Sequence, residues 1–319
     1  MLNLLEFFIM NERKNCGNCP VCGSSEIEIS GPYRNLHPSF TGLHRAHCRS
    51  CDMMFAAPMP SDEAMEEFNA TYFDSAHNGL AQTSESLAFF NALAKIRGIH
   101  LEKFLAKKNL TAASILEIGP GHGFFANNWL LRNPKTSYNG LETDKSCYSS
   151  LKNYGVKLID SLSQLPTTDV VVLSHVLEHV TDPSLFLTNA TAGLKTGGVL
   201  FIEVPCMDWD YKPLDEPHLL FFNKHTMKLL LEKVGFLDIE VSYHGQEIKA
   251  IKHESSVKKI FNRLRSKLIN MGIIYPFALA TKGLEFIDNS LERAVVAPFQ
   301  AHHQSEKPSR WLRAVAIKS

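Results

Sequence analysis

The stretch Ser114-Ile-Leu-Glu117-Ile-Gly119-Pro-Gly121-His-Gly123-Phe-Phe constrains this chain more than any other. An apolar run enters three alternating glycines, with a carboxylate two residues before the first, and reads as a strand, a tight turn and the start of a helix. Glycine belongs where a ligand approaches the backbone closely and where a turn needs unusual φ and ψ. The expectation is a site for a nucleotide-like ligand. Spacing then selects among nucleotides. A dinucleotide fingerprint places its third glycine at position 124, which is Phe124 here, and a phosphate loop needs Lys-Ser or Lys-Thr, which His122 to Ala126 lack. NAD, FAD and ATP are therefore disfavoured.

The chain after the loop alternates strands and helices. Phe124 to Arg132 reads as a helix whose N-terminus faces the ligand, and Ser137 to Glu142 as a strand ending in a carboxylate. One carboxylate accepts from two ribose hydroxyls, which makes Glu142 the leading cofactor residue. Val156 to Asp160 is the next strand. Asp169 to Ser174 is almost continuously apolar, as a parallel strand buried on both faces should be. A helix is expected from Asp182 to Leu194, N-capped by Asp182 with Pro183 at its first position, followed by the Val199–Pro205 strand. Right-handed β-α-β units of this kind give a doubly wound sheet with its ligand beyond the carboxyl edge.

Cysteine usage marks a second unit. Of seven cysteines, Cys16, Cys19, Cys22, Cys48 and Cys51 cluster near the start, where no secretion signal is evident. Two C-x-x-C knuckles, Cys19/Cys22 and Cys48/Cys51, supply the tetrahedral set of four thiolates that Zn²⁺ prefers and leave no open position, so a structural ribbon is expected. Cys16-Gly-Asn-Cys19 is an alternative pair that would replace one ligand. The formal net charge of zero argues against a surface built for nucleic acid, and the first ten residues, apolar but carrying Glu6 and no basic n-region, are too short for a span and unlike a signal. A cytoplasmic protein acting on a small molecule is expected.

The run Glu117-x-Gly119-x-Gly121-x-Gly123 resembles motif I of the class I S-adenosylmethionine (SAM) methyltransferases. His175-Val-Leu-Glu178-His179 resembles the tract after strand four of that superfamily, and Leu194 to Pro205 resembles its fifth strand. The resemblance implies a seven-stranded Rossmann-like α/β sheet. It also implies a SAM site built from Glu117, Gly119, Gly121, Gly123, Glu142, Asp160, Ser174 and His175. Glu216-Pro-His218-Leu-Leu-Phe-Phe is similar to a segment of sugar C-methyltransferases in which the histidine takes a proton, although a proline here separates Glu216 from His218. That likeness implies His218 as base, with Glu178 and His179 in support and Tyr211 and Glu216 as substrate contacts. The Tyr72-Phe-Asp run is also similar to sugar-modifying relatives.

The expected organisation is a zinc ribbon over 1–57, a helical linker over 58–112, a SAM-binding core over 113–245, a helical insertion over 246–308 and a last strand over 309–319. Within the insertion, Val257, Ile260, Phe261, Leu264 and Leu268 form one helical face and Lys258, Lys259, Arg263, Arg265 and Lys267 the other, the commoner arrangement being a solvated basic face over a packed apolar one. The function implied is methyl transfer from SAM to a small molecule, a sugar or nucleotide-activated sugar. An RNA methyltransferase gripping its substrate through the ribbon, and a non-catalytic SAM-binding scaffold, stay open beside it.

Overall fold

The computed structural model describes residues 17–70, 83–273 and 282–319. Cys16, the apolar first ten residues and the Tyr72-Phe-Asp run lie outside the described residues.

Among the described residues three short strands come first: β1 (Ile27–Pro32), β2 (His44–Cys48) and β3 (Met54–Ala57). Helices α1 (Asp62–Ala70) and α2 (Ser84–Lys107) follow, the latter N-capped by Thr83, whose Oγ1 accepts from the Ser86 N–H. The main body comprises β4 (Ser114–Ile118), α3 (Phe124–Arg132), β5 (Ser137–Leu141), α4 (Tyr148–Asn153), β6 (Lys157–Ile159), β7 (Thr168–Ser174), α5 (Pro183–Ala190) and β8 (Leu194–Pro205). After a long loop come β9 (Leu220–Phe221), α6 (Lys224–Val234) and β10 (Phe236–Glu247). Helices α7 (Ile248–Lys252), α8 (Ser256–Asn270) and α9 (Ser290–Val296) precede β11 (Gln304–Ser305) and β12 (Ser309–Lys318).

The larger sheet runs β11-β10-β12-β8-β7-β4-β5-β6. Strands β6, β5, β4, β7 and β8 run parallel to one another, whereas β12 is antiparallel to both β8 and β10. This is the expected α/β methyltransferase architecture, with one short strand added at an edge. Alternation within the strands builds two cores. Leu116, Val171, Leu173, Leu200 and Ile202 face α5, α6 and the first three strands, while Ile115, Val170, Val172, Val199 and Phe201 face α2 and α3.

Two expectations change. Helix α5 ends at Ala190 rather than Leu194, because Leu194 already pairs with Thr168 and belongs to β8; Gly197, at φ +77°, sits in the irregular stretch before regular pairing resumes at Val199. The other change concerns the small N-terminal sheet. Its order is β1-β2-β3-β9, so its fourth strand comes from the loop after β8 rather than from the ribbon itself.

Candidate active site

Chain order reverses between β4 and β7, which are neighbours in the sheet, and the crevice at such a reversal is where α/β sheets bind ligands. The glycine loop leaves β4 at this point. Gly119 has φ +66°, and a Cβ there would lie 2.7 Å from Cγ2 of Val176 in the turn after β7. Gly123 N-caps α3 at φ +78° and would meet Leu151 at 2.8 Å. Both positions thus exclude side chains on conformational and steric grounds. Gly121 closes the loop differently, its N–H donating to Oε2 of Glu142 at 2.7 Å.

Glu142 lies one residue beyond β5 and is buried. Its Oε1 accepts from the Asp144 N–H at 2.9 Å, and burial pushes its carboxyl up from the usual range while these backbone donors pull against it. Each oxygen keeps a further lone pair for a ribose hydroxyl. Glu117 is fully enclosed and points into the core beneath the loop, where the Tyr138 hydroxyl donates to it at 2.6 Å; burial raises it to about 7. Asp160 follows β6 and is exposed.

The turn after β7 gathers the remaining groups. His175 has φ +58°; its Nδ1 lies 3.1 Å from Glu178 and its Nε2 3.4 Å from Glu203. Burial opposes charge on this imidazole, but the two carboxylates outweigh it and lift His175 above its ordinary value. Glu178 is likewise held below the usual range despite its burial, chiefly by His175. Among the described residues, the Ser174 hydroxyl and Oε2 of Glu178 are buried polar atoms without a hydrogen-bond partner. Orphans of this kind mark a place for a ligand.

The loop after β8 docks on this turn. The Leu219 N–H donates to the Glu178 carbonyl at 2.8 Å, and Nδ1 of His179 donates to the Pro217 carbonyl at 3.2 Å. His179 and His218 stack edge to face with centroids 4.9 Å apart. Burial, helped by nearby His218, pushes His179 down to about 4, so it is neutral. The structure adds a residue that the sequence did not single out. Asp208 is buried, with Oδ2 at 2.6 Å from Nδ1 of His218 and 2.8 Å from Lys212. Burial alone would raise its carboxyl, but the His218 imidazole and the Lys212 ammonium hold it well below the usual range. Nothing local announces this pair, since Met207, at φ +45°, turns the chain between β8 and Asp208.

Tyr211 and Glu216 are not where acceptor contacts were expected. The Tyr211 hydroxyl donates to the Arg310 carbonyl at 3.2 Å, and Oε2 of Glu216 accepts from the N–H groups of Leu36 and His37 at 2.9 Å each. These contacts tie the loop to the backbone of β12 and of the segment after β1.

Two groups of residues have metal-ligating geometry. Sγ of Cys19 lies 3.6 Å from that of Cys51, and Sγ of Cys22 lies 3.5 Å from that of Cys48. A tetrahedron of 2.3 Å zinc–sulfur bonds has edges of about 3.8 Å, so the four thiols fit Zn²⁺. Glu178, His179 and His218 offer three donors within 4.8 Å of one another, and a cation there would compete with a proton for the imidazoles.

Comparison with known proteins accords with this geometry. Residues 93–241 match a family model described as a methyltransferase domain. A SAM-dependent methyltransferase from Thermotoga maritima, described as a possible histamine N-methyltransferase, aligns over 80% of this chain and 100% of its own, at 15% identity and a TM-score of 0.47. A plantazolicin methyltransferase aligns over 80% and 96% at 17% identity with a TM-score of 0.47, and a coclaurine N-methyltransferase over 69% and 72% at 12% with 0.42. Curated protein sequences give no match. The glycine cradle and the sheet order agree with the family match, and residues 93–241 form a methyltransferase domain.

Proposed function

We propose that the protein methylates a polar small molecule of the sugar class, in nucleotide-activated form, and that His218 removes the acceptor's proton. The observation that carries this reading is the Asp208–His218 pair, held on the loop that docks against the turn after β7. The likeness of Glu216 to Phe222 to sugar-methylating enzymes supports the acceptor class, and so does the concentration of carboxylate and imidazole groups around that turn.

SAM when bound supplies an activated methyl group on a sulfonium. The chain's own residues do the rest. Gly119, Gly121 and Gly123 admit the nucleoside against bare backbone, Glu142 accepts from the ribose, and Ser174 offers its unpartnered hydroxyl. Asp208 fixes the tautomer of His218 with the proton on Nδ1, leaving Nε2 to accept. Nε2 of His218 would take the acceptor's proton, and Asp208 would stabilise the imidazolium so formed. Neutral His179 beside it adds no opposing charge. A zinc ion in the ribbon is structural in this scheme.

The test combines two measurements. With methyl-labelled SAM, label should enter nucleoside-diphosphate sugars in preference to RNA or peptides; label in RNA would redirect the acceptor assignment. His218→Ala should bind SAM as the parent does and lose about 10²- to 10⁴-fold in kcat. An unchanged kcat would remove His218 from proton transfer.

A further inference from the structure

Helix α8 is mounted the wrong way round for a packed amphipathic helix. At 3.6 residues per turn, Val257, Ile260, Phe261 and Leu264 fall on one stripe, and all four are between 54% and 77% exposed. Met271, just beyond the helix, continues the stripe and is also exposed. The side turned toward the protein is largely polar. Ser266 and Asn270 donate to the two carboxylate oxygens of Glu85 at 2.8 and 2.9 Å, Arg265 donates to the Ala294 carbonyl at 2.8 Å, and Ile269 is the one fully buried apolar residue of the helix. These contacts clamp the helix with its apolar stripe facing solvent.

Charge flanks the stripe. The helix sequence contains Lys258, Lys259, Arg263, Arg265 and Lys267 and no acidic residue. Arg263 and Lys267 are exposed along one margin, and Arg265 lies at the other. We propose that α8 is a peripheral docking face for an anionic lipid surface. A convex apolar stripe with cationic margins sinks into the boundary between headgroups and acyl chains while its cations meet anionic headgroups. A second copy is a poor occupant, because two such faces would bring the flanking cations of each helix against those of the other without a compensating carboxylate. Among the described residues no helix is long and apolar enough to cross a membrane, and the docking is of surface type.

The experiment is flotation of the full chain with vesicles of neutral phosphatidylcholine alone or mixed with anionic phosphatidylglycerol. Binding should require the anionic lipid and should weaken between about 0.1 M and about 0.5 M salt. The exposed triple variant Ile260→Ser, Phe261→Ser, Leu264→Ser should lose at least about tenfold in partitioning, and Arg263→Glu with Lys267→Glu a similar amount, given roughly fivefold per cation near such a surface. Unchanged circular dichroism and SAM binding would show that both variants are folded. The proposal is overturned if the parent chain fails to float with anionic vesicles, if it binds neutral vesicles equally, or if the triple variant floats like the parent. It is also overturned if sedimentation shows a dimer that the triple variant dissolves.

Discussion

Glu117 sits at the base of the glycine loop, yet its carboxylate turns away from the cleft and into the core, where Tyr138 is its hydrogen-bond donor. Its folded pKa, raised to about 7 from 4.5, means that the native state holds a proton the unfolded chain would release. The associated stability is fully present below the unfolded value, declines from about pH 4.5 to about 7, and is absent above that. Glu117→Gln keeps an acceptor for Tyr138 and removes the charge. Urea denaturation should show the variant more stable than the parent at pH 8.5 by about 3 kcal/mol, with the difference vanishing near pH 4. The residues legible in the sequence were those whose purpose is local. Glycines that need positive φ, cysteines two apart and a carboxylate at a strand end carry their signal within a few positions. Asp208 was not legible, since its meaning depends on His218 ten residues away across an irregular loop, and neither Tyr211 nor Glu216 betrays in sequence that backbone groups of Arg310, Leu36 and His37 claim it.

Among the elements, the first three strands are joined to the loop after β8 more closely than their place in the chain suggests. Phe55 pairs with Leu220, the Ala56 N–H donates to the Leu219 carbonyl, and the Tyr33 hydroxyl donates to the carbonyl of His218 itself. Asp215 is gripped by Arg34 and lies 3.7 Å from Arg45. We expect a metal held by Cys19, Cys22, Cys48 and Cys51 to act on turnover through this sheet. Stripping it with a chelator, or replacing Cys48 by Ser, should lower kcat at least about tenfold while SAM affinity changes little, because the glycine loop and Glu142 lie in the other sheet; free energies of roughly 10 kcal/mol for structural zinc make the apo ribbon unstable. Isothermal titration with SAM beside steady-state kinetics would check this split. Helical periodicity revealed the stripe of α8, but periodicity does not say which side a helix turns outward. That was decided by Glu85 and Ala294, far away in sequence.

Across the whole molecule, Glu203 of β8 ties α2, β12 and the turn after β7 together. Its carboxylate is inaccessible to solvent and takes Arg97 of α2 at 2.6 Å, Arg313 of β12 at 2.5 Å and His175 of the turn after β7 at 3.4 Å, while Arg313 reaches His244 of β10 at 3.3 Å. Removing one partner of such a set strands buried charge, so Glu203→Ala should destabilise the fold by about 3–5 kcal/mol, read as a shift in the urea midpoint. A different consequence follows from the strand that β9 lends to the N-terminal sheet. During synthesis β1, β2 and β3 emerge early, but Leu220 and Phe221 are more than 160 residues behind β3. Until they arrive, the wholly apolar Met54–Ala57 strand presents an open edge to whatever nascent chain is near. Fragments ending before Leu220 should therefore aggregate through a ribbon that is itself complete in sequence, and the module nearest the start of the chain is among the last to be finished.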